Sequence, residues 1–447
     1  MPSEPNAIVS LLAMAKRLAV AALLAVALAS PASAANDDPS YRVLHTWYRL
    51  VLELVRHTPT YSPPVASRSF AYTGVAAFEA LAGGTADFRS LAGQLNGFQR
   101  PLQREPGQTY SEAVILNSAM SVAVRHFFSN TGPTGQRAMN AMDARLAEKA
   151  SQGVAQDVLE RSKAHGEAVA RHVIDWSAGD GGAIVENMGF PYDYELKPGK
   201  ANWVPTSAVR QQQMPLLPGW GNNRPFAMPQ GNACPLPPPP AYSEEPGSQF
   251  HSEAMEVYET VKTITDEQKV IARFWSDDPM LSPTPPGHWI SIAWQLLEED
   301  GADAGKSAET MALLGIGLAD SFIGCWNSKF EYDLLRPVTY IRRVIDPSWE
   351  PILITPPFPE YPSGHSTQSG AAAQILTGLF GENRTFTDRT HEEDGMPGRS
   401  FPNFWAAANE AGISRLYGGI HFRAAIDRGL DQGRCIGDFA AALKTRN

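Results

Sequence analysis

The apolar positions of this chain fall mainly at three- and four-residue intervals. Val43, Leu44, Trp47, Leu50, Val51, Leu54 and Val55 form one stripe of this kind, the signature of a helix with a single buried face. Similar stripes predict helices over about 66–82, 110–128, 134–150 and 153–177. Gly, Pro and Asn separate them, as helix ends require. Between 178 and 249 the periodicity stops and proline and glycine crowd in, ending in the run Pro235–Pro240. Such a stretch cannot be regular helix. Its aromatics (Trp203, Trp220, Phe226) predict an ordered loop wrapped over the surface, with a flexible linker as the alternative, best suited to Pro235–Pro240. Helical periodicity returns from about 250, over 252–276, 286–299, 306–333, 364–380, 403–416 and 422–444. No convincing alternating strand and no internal repeat stand out. The expectation is an all-α bundle of ten or more helices. It divides into an N-terminal helical half (35–177), an irregular segment (178–249) and a C-terminal bundle (250–447).

The first 34 residues read as an address. Lys16 and Arg17 precede an Ala/Leu/Val run over 18–28, and Ala32-Ser33-Ala34 follows. This is the layout of a secretory signal peptide, too short in its apolar part to be a mature membrane span. Met14 is the more ordinary start. The mature chain is expected outside the cytoplasm, secreted or periplasmic, with no membrane attachment after cleavage.

Composition narrows the function. Of 447 residues, 37 are basic and 47 acidic, a net charge of −10, and no basic run stands out, which argues against a nucleic-acid partner. Three cysteines (Cys234, Cys325, Cys435) make no disulfide framework, although a pair could form in an oxidising compartment. None sits in a CxxC or Cys/His cluster, so a zinc site is not expected.

Three segments carry candidate chemistry. In the first, Lys329 and Arg336 lie seven residues apart, nearly the same helix face, and Pro337 places Arg336 where the helix gives out. Two cations on one face make sense if an anion lies between them; otherwise Glu331 and Asp333 satisfy a solvated charged face. The second is Pro362-Ser363-Gly364-His365 before a small-residue helix. Ser363 is a natural N-cap, the helix start offers free N–H groups, Gly364 admits a ligand close to the backbone, and His365 can move a proton. In the third, Arg415 and His421 are six apart and could not share a ligand within one helix. Gly418-Gly419 breaks the helix and lets them aim at one point. Each segment has a bland structural reading, but together they supply cations, donors and two histidines suited to a tetrahedral or trigonal-bipyramidal oxyanion.

These motifs, in this order and spacing, resemble the superfamily of vanadium-dependent haloperoxidases and type 2 phosphatidic-acid phosphatases. The Trp203–Thr206 and Pro218–Gly221 stretches are similar to its secreted bacterial haloperoxidase branch. The resemblance implies that His421 is the ligand to vanadium, or the nucleophile in a phosphatase, and that His365 is the acid/base group. Lys329, Arg336, Ser363, the Gly364 N–H and Arg415 would bind the oxyanion, with Lys329 also polarising peroxide and Asp278 pairing with Arg415. Trp326 and Phe358 would face the halide. Phe358, and Ala372 where brominating relatives carry histidine, lean towards the chlorinating branch without fixing the halide. The implied cofactor is vanadate. The implied reaction oxidises halide with hydrogen peroxide to hypohalous acid, with a small organic acceptor in some cases, and related helical proteins often form homodimers. Many relatives carry aspartate four residues after the last histidine; here it is Ala425, and Asp427 faces another side, so a backbone carbonyl is expected to orient His421. Two alternatives stay open: a periplasmic acid phosphatase with a nucleophilic histidine, and a non-catalytic anion-binding helical protein. The remaining histidines, His288 and His391 among them, carry no pattern.

Overall fold

The computed structural model describes residues 38–185, 194–207 and 213–447. The expected signal peptide lies outside the described residues.

Among the described residues there are thirteen α-helices. In the N-terminal part these are α1 (Pro39–Arg56), α2 (Pro63–Ala82), α3 (Glu112–Phe127), α4 (Pro133–Ser151) and α5 (Gln156–Ser177). The C-terminal part holds α6 (Gln249–Lys262), α7 (Asp266–Phe274), α8 (Thr284–Glu299), α9 (Ala304–Tyr332) and α10 (Pro337–Val344), then α11 (Gly364–Phe380), α12 (Phe404–Tyr417) and α13 (Arg423–Ala441). The expected helix over 252–276 is two helices, because Thr265 and Gln268 form a capping box that starts α7 afresh. One small hairpin interrupts the all-α pattern: β1 (Phe386–Asp388) pairs antiparallel with β2 (Arg399–Phe401). Three-residue strands are too short to show as alternation in sequence.

Helix α9 is the axis of the molecule. The Asp303 carboxylate accepts from the Lys306 N–H and caps its start. Its apolar stretch is long enough to cross a bilayer, yet is wholly buried inside the protein. Helix α2 lies along it on one side, and α11 and α13 on the other. One continuous core therefore runs from Trp47 and Phe70 through Leu314 and Phe322 to Phe404 and Ala408. Each large apolar side chain so buried contributes about 1.5–3 kcal/mol.

The irregular segment is tied down more firmly than a surface wrap. Trp203, Trp220 and Phe226 are buried, and the buried Asp320 of α9 accepts from the backbone N–H groups of Phe226, Ala227 and Met228. A Cys234–Cys435 disulfide, not legible from cysteine spacing, fastens it to α13. Helices α11 and α13 approach closely enough that a Cβ on Gly433 would collide with the Thr367 carbonyl. That approach also lets the Ser363 N–H donate to the Ala425 carbonyl at 2.9 Å, which brings the second and third motifs together.

Candidate active site

The cations converge, but not along one helix. Helix α9 ends at Tyr332, with Asp333 in the left-handed conformation (φ 49°), and Arg336 becomes the N-cap residue of α10. The seven-residue spacing between Lys329 and Arg336 therefore works through a helix break rather than two helical turns. What unites them is the Phe358 ring, over which lie Lys329 Nζ at 5.1 Å and the Arg336 guanidinium at 4.9 Å.

Lys329 is fully buried. Its ammonium donates to the carbonyls of Pro359, Glu360 and Pro362 at 2.9, 3.0 and 2.5 Å, which uses all three N–H groups. Its direct contacts thus fix the irregular segment leading into Ser363, and it reaches an oxyanion through its charge. Burial, with Arg336 adding repulsion, pulls its pKa down to about 7. Arg336 Nε donates to the Phe358 carbonyl at 2.8 Å and Nη1 to the Ile420 carbonyl at 3.0 Å. Nη2 is buried with no partner.

Ser363 caps α11 as expected, its Oγ accepting from the Ser366 N–H. Its own hydroxyl proton remains available. A Cβ on Gly364 would make only ordinary contact with Trp326, at 3.7 Å. Packing does not demand this glycine, and its N–H is open to a ligand. His365 sits in the first turn with Nε2 shut off from solvent and without a partner. Burial, then the nearby Arg415 charge, pushes its pKa well below the ordinary value. The ring is therefore neutral.

The glycine pair ends α12 at Tyr417. Gly419 takes a left-handed φ of 77° between Val261, Pro351 and Trp349. Arg415 Nη1 donates to the Trp275 carbonyl at 2.8 Å, while Nε is buried without a partner. Asp278 contributes charge to Arg415, whose direct bond goes to the Trp275 carbonyl. His421 follows the break, and Arg336 Nη1 lies 3.1 Å from its Nε2. Burial and the surrounding cations hold it neutral.

The residue that sequence reasoning missed is Glu360. Its Oε1 lies 2.8 Å from His421 Nδ1 and accepts from the Phe422 N–H at 2.8 Å. A side-chain carboxylate, not a backbone carbonyl, orients His421. Glu360 thus takes the orienting place that the aspartate missing at Ala425 would fill. The one available signal was a lone acid in the aromatic and proline stretch Phe358-Pro359-Glu360-Tyr361-Pro362. Burial raises the Glu360 carboxyl to about 8, against the pull of Arg336. With Glu360 on Nδ1, Nε2 carries the lone pair, which accepts from Arg336 Nη1 at 3.1 Å. Trp326 packs on Phe358 with centroids 4.9 Å apart, and its indole N–H donates to the Leu216 carbonyl. It offers the site its ring and not a donor.

Comparison with known proteins identifies the family. A bacterial vanadium-dependent iodoperoxidase of known structure is 37% identical, covering 91% of this chain and 97% of its own, with a TM-score of 0.82. The chain belongs to the vanadium-dependent haloperoxidases. A family model for the second helical-bundle domain of vanadium chloroperoxidase (VCPO) matches residues 309–447, which hold every motif residue named above except Asp278. The vanadium chloroperoxidase of Curvularia inaequalis is 26% identical over 211 residues, spanning about a third of its length (35%). A holo-type bacterial vanadium-dependent chloroperoxidase, 18% identical with a TM-score of 0.66 over 88% of this chain, shares the fold. Within this haloperoxidase frame the residues fit an oxyanion. Arg336 Nη2, Arg415 Nε and His365 Nε2 are buried polar atoms lacking partners, a costly arrangement unless a ligand satisfies them.

Proposed function

We propose that this chain oxidises halide with hydrogen peroxide, using vanadate held by His421. The observation that carries the reading is the set of unpartnered buried atoms on Arg336, Arg415 and His365 beside the neutral His421 Nε2. Bound vanadate supplies a Lewis-acid centre that activates peroxide without changing oxidation state. The protein does the rest. His421 offers Nε2, and Glu360 keeps the proton on Nδ1. Arg336, Arg415 and the Lys329 charge balance the oxyanion, with Ser363 Oγ and the Gly364 N–H as neutral donors. His365, neutral and buried, can give or take a proton at Nε2.

Iodide is the halide we assign, on the strength of the iodoperoxidase relative. Phe358 and Ala372 do not outweigh it: Phe358 is engaged with both cations and Ala372 is packed in the main core. Export by the N-terminal signal is part of the same reading, supported by the Cys234–Cys435 disulfide, which suits an oxidising compartment. One observation favours a second reading. A carboxylate-paired histidine also suits nucleophilic phosphoryl transfer, so acid phosphatase activity is the alternative.

The deciding experiment follows halide-dependent peroxide consumption with and without orthovanadate, beside hydrolysis of a phosphomonoester. Vanadate-dependent oxidation, fastest with iodide, is the expected result. Vanadate-inhibited phosphatase activity without halide oxidation would overturn it.

A further inference from the structure

A second buried cluster lies directly behind the Trp275 carbonyl. His288, in the first turns of α8, is fully buried, and both of its ring nitrogens meet carboxylates. Nδ1 stands 3.0 Å from each oxygen of Asp277, and Nε2 stands 2.7 Å from Asp388 Oδ2. A neutral imidazole has one N–H and cannot donate at both ends. Two carboxylates at opposite nitrogens therefore call for the doubly protonated ring. His391 covers the other side of Asp277, with Nε2 3.3 Å from Oδ1, and turns Nδ1 to Asp394 at 3.0 Å. Arg56 of α1 closes the chain of charges, bonding Asp394 at 2.7 Å and donating to the Leu281 carbonyl at 3.0 Å. Burial by itself would lower the His288 pKa; the charges of Asp277 and Asp388 overcome it and lift the value to about 10.

Trp275 connects this cluster to the oxyanion site. Its ring stacks on His288, with centroids 4.5 Å apart and planes 16° apart. Its carbonyl accepts from Arg415 Nη1 and makes a hydrogen bond with His365. Asp278, beside Asp277 in the chain, adds its charge to Arg415. The Trp275–Asp278 segment thus touches the oxyanion-binding groups on one side and His288 on the other. It needs an anchor, because Asp277, Met280 and Thr284 all hold positive φ without being glycine, a conformation that persists only when the surroundings enforce it.

We propose that His288 is a positioning residue: as a buried imidazolium pinned between Asp277 and Asp388, it fixes the Trp275–Asp278 segment, which in turn aims His365 and Arg415 at the oxyanion. This inference rests on the functional reading above for its effect on vanadate, but not for the state of the ring.

The test uses the full mature chain, labelled with 15N-histidine and free of vanadate, together with His288→Gln and Asp388→Asn. The wild type is expected to show a doubly protonated histidine at pH 8 that His288→Gln lacks; His391, which also faces two carboxylates, is told apart because its signal persists in that variant. The His365 resonances should shift in both variants, and orthovanadate dissociation constants from calorimetry should rise about tenfold or more, while each variant still melts cooperatively. Asp388→Asn carries the same expectation if His288→Gln does not fold. A folded variant with unmoved His365 resonances and wild-type vanadate affinity would overturn the proposal. So would a stoichiometric divalent metal in the purified protein with His288 singly protonated, since Asp277, His288 and His391 are close enough together to hold a cation. If the wild type binds no vanadate, the functional reading fails, while the 15N spectrum still decides the state of His288.

Discussion

His421 rests its Nδ1 2.8 Å from Glu360 Oε1, and the same oxygen accepts the N–H of Phe422, the next residue. One carboxylate oxygen thereby sets both the ring tautomer and the backbone that carries the ring. Glu360→Gln keeps the shape but replaces the carboxyl with an amide that cannot ionise, so it removes the charge that Glu360 carries once the pH exceeds about 8. Its expected effect is a loss of about 10- to 100-fold in orthovanadate affinity with little change in melting temperature. Calorimetric titration reads it, and unaltered affinity would refute the role given to Glu360.

Arg415 illustrates a site built for its ligand rather than for stability. It is buried with Nε unsatisfied and with other cations nearby. Orthovanadate at about 100 times its dissociation constant should stabilise the protein by about 2.7 kcal/mol. Arg415→Ala should abolish that thermal shift while the ligand-free variant melts no lower than wild type by more than a few degrees. A retained shift would remove Arg415 from the site.

Lys329 makes anion binding depend on pH. Its ammonium is held near 7 in the free protein by burial and by Arg336. A bound anion favours the charged form, so the pKa rises on binding. Protons are then taken up on binding above pH 7, and affinity falls as pH rises through that window. Calorimetry at pH 8 in buffers of different ionisation enthalpy measures the uptake, and Lys329→Met should take up fewer protons than wild type, the remainder coming from groups such as Glu360.

The His288 cluster makes a separate prediction, for stability. An unfolded histidine titrates near 6.5, whereas His288, with Asp277 and Asp388 on its ring and His391 across Asp277, is raised to about 10. Its contribution is fully present below pH 6.5 and is lost as pH rises through about 10. The loss is on the order of a few kcal/mol. Wild-type melting temperature should therefore decline between pH 7 and 10 more steeply than that of His288→Gln.

The Cys234–Cys435 disulfide joins residues 201 apart in sequence. Reducing it should cost about 2–5 kcal/mol, by releasing a long loop in the unfolded chain. Melting with and without reductant checks this, with Cys234→Ser as the matched variant.

Local pattern was enough for much of this protein. Three- and four-residue periodicity marked most of the helices. Ser363 at an N-cap and Gly418-Gly419 at a helix end announced two bends of the site, because caps and glycine turns are written in a few adjacent residues. Pro337 marked the third break, and the expected helix over 306–333 ends within one residue of α9, but the short helix α10 (Pro337–Val344) that Arg336 caps was not expected. Short strands and the split between α6 and α7 escaped, since two or three residues leave no period to read.

The chemistry on offer is written along the chain: two arginines, a lysine, two histidines and a capped helix start, in an order that marks the family. What those groups can do depends on how the helices pack. Packing set Glu360 against His421, although they are 61 residues apart. It turned the Lys329 donors to backbone carbonyls, joined Cys234 to Cys435, and locked His288 between Asp277 and Asp388. Each of these depends on partners distant in sequence that meet only when α9, α11 and α13 pack. A buried charge acquires its pKa, its tautomer and its role from the neighbours that packing supplies.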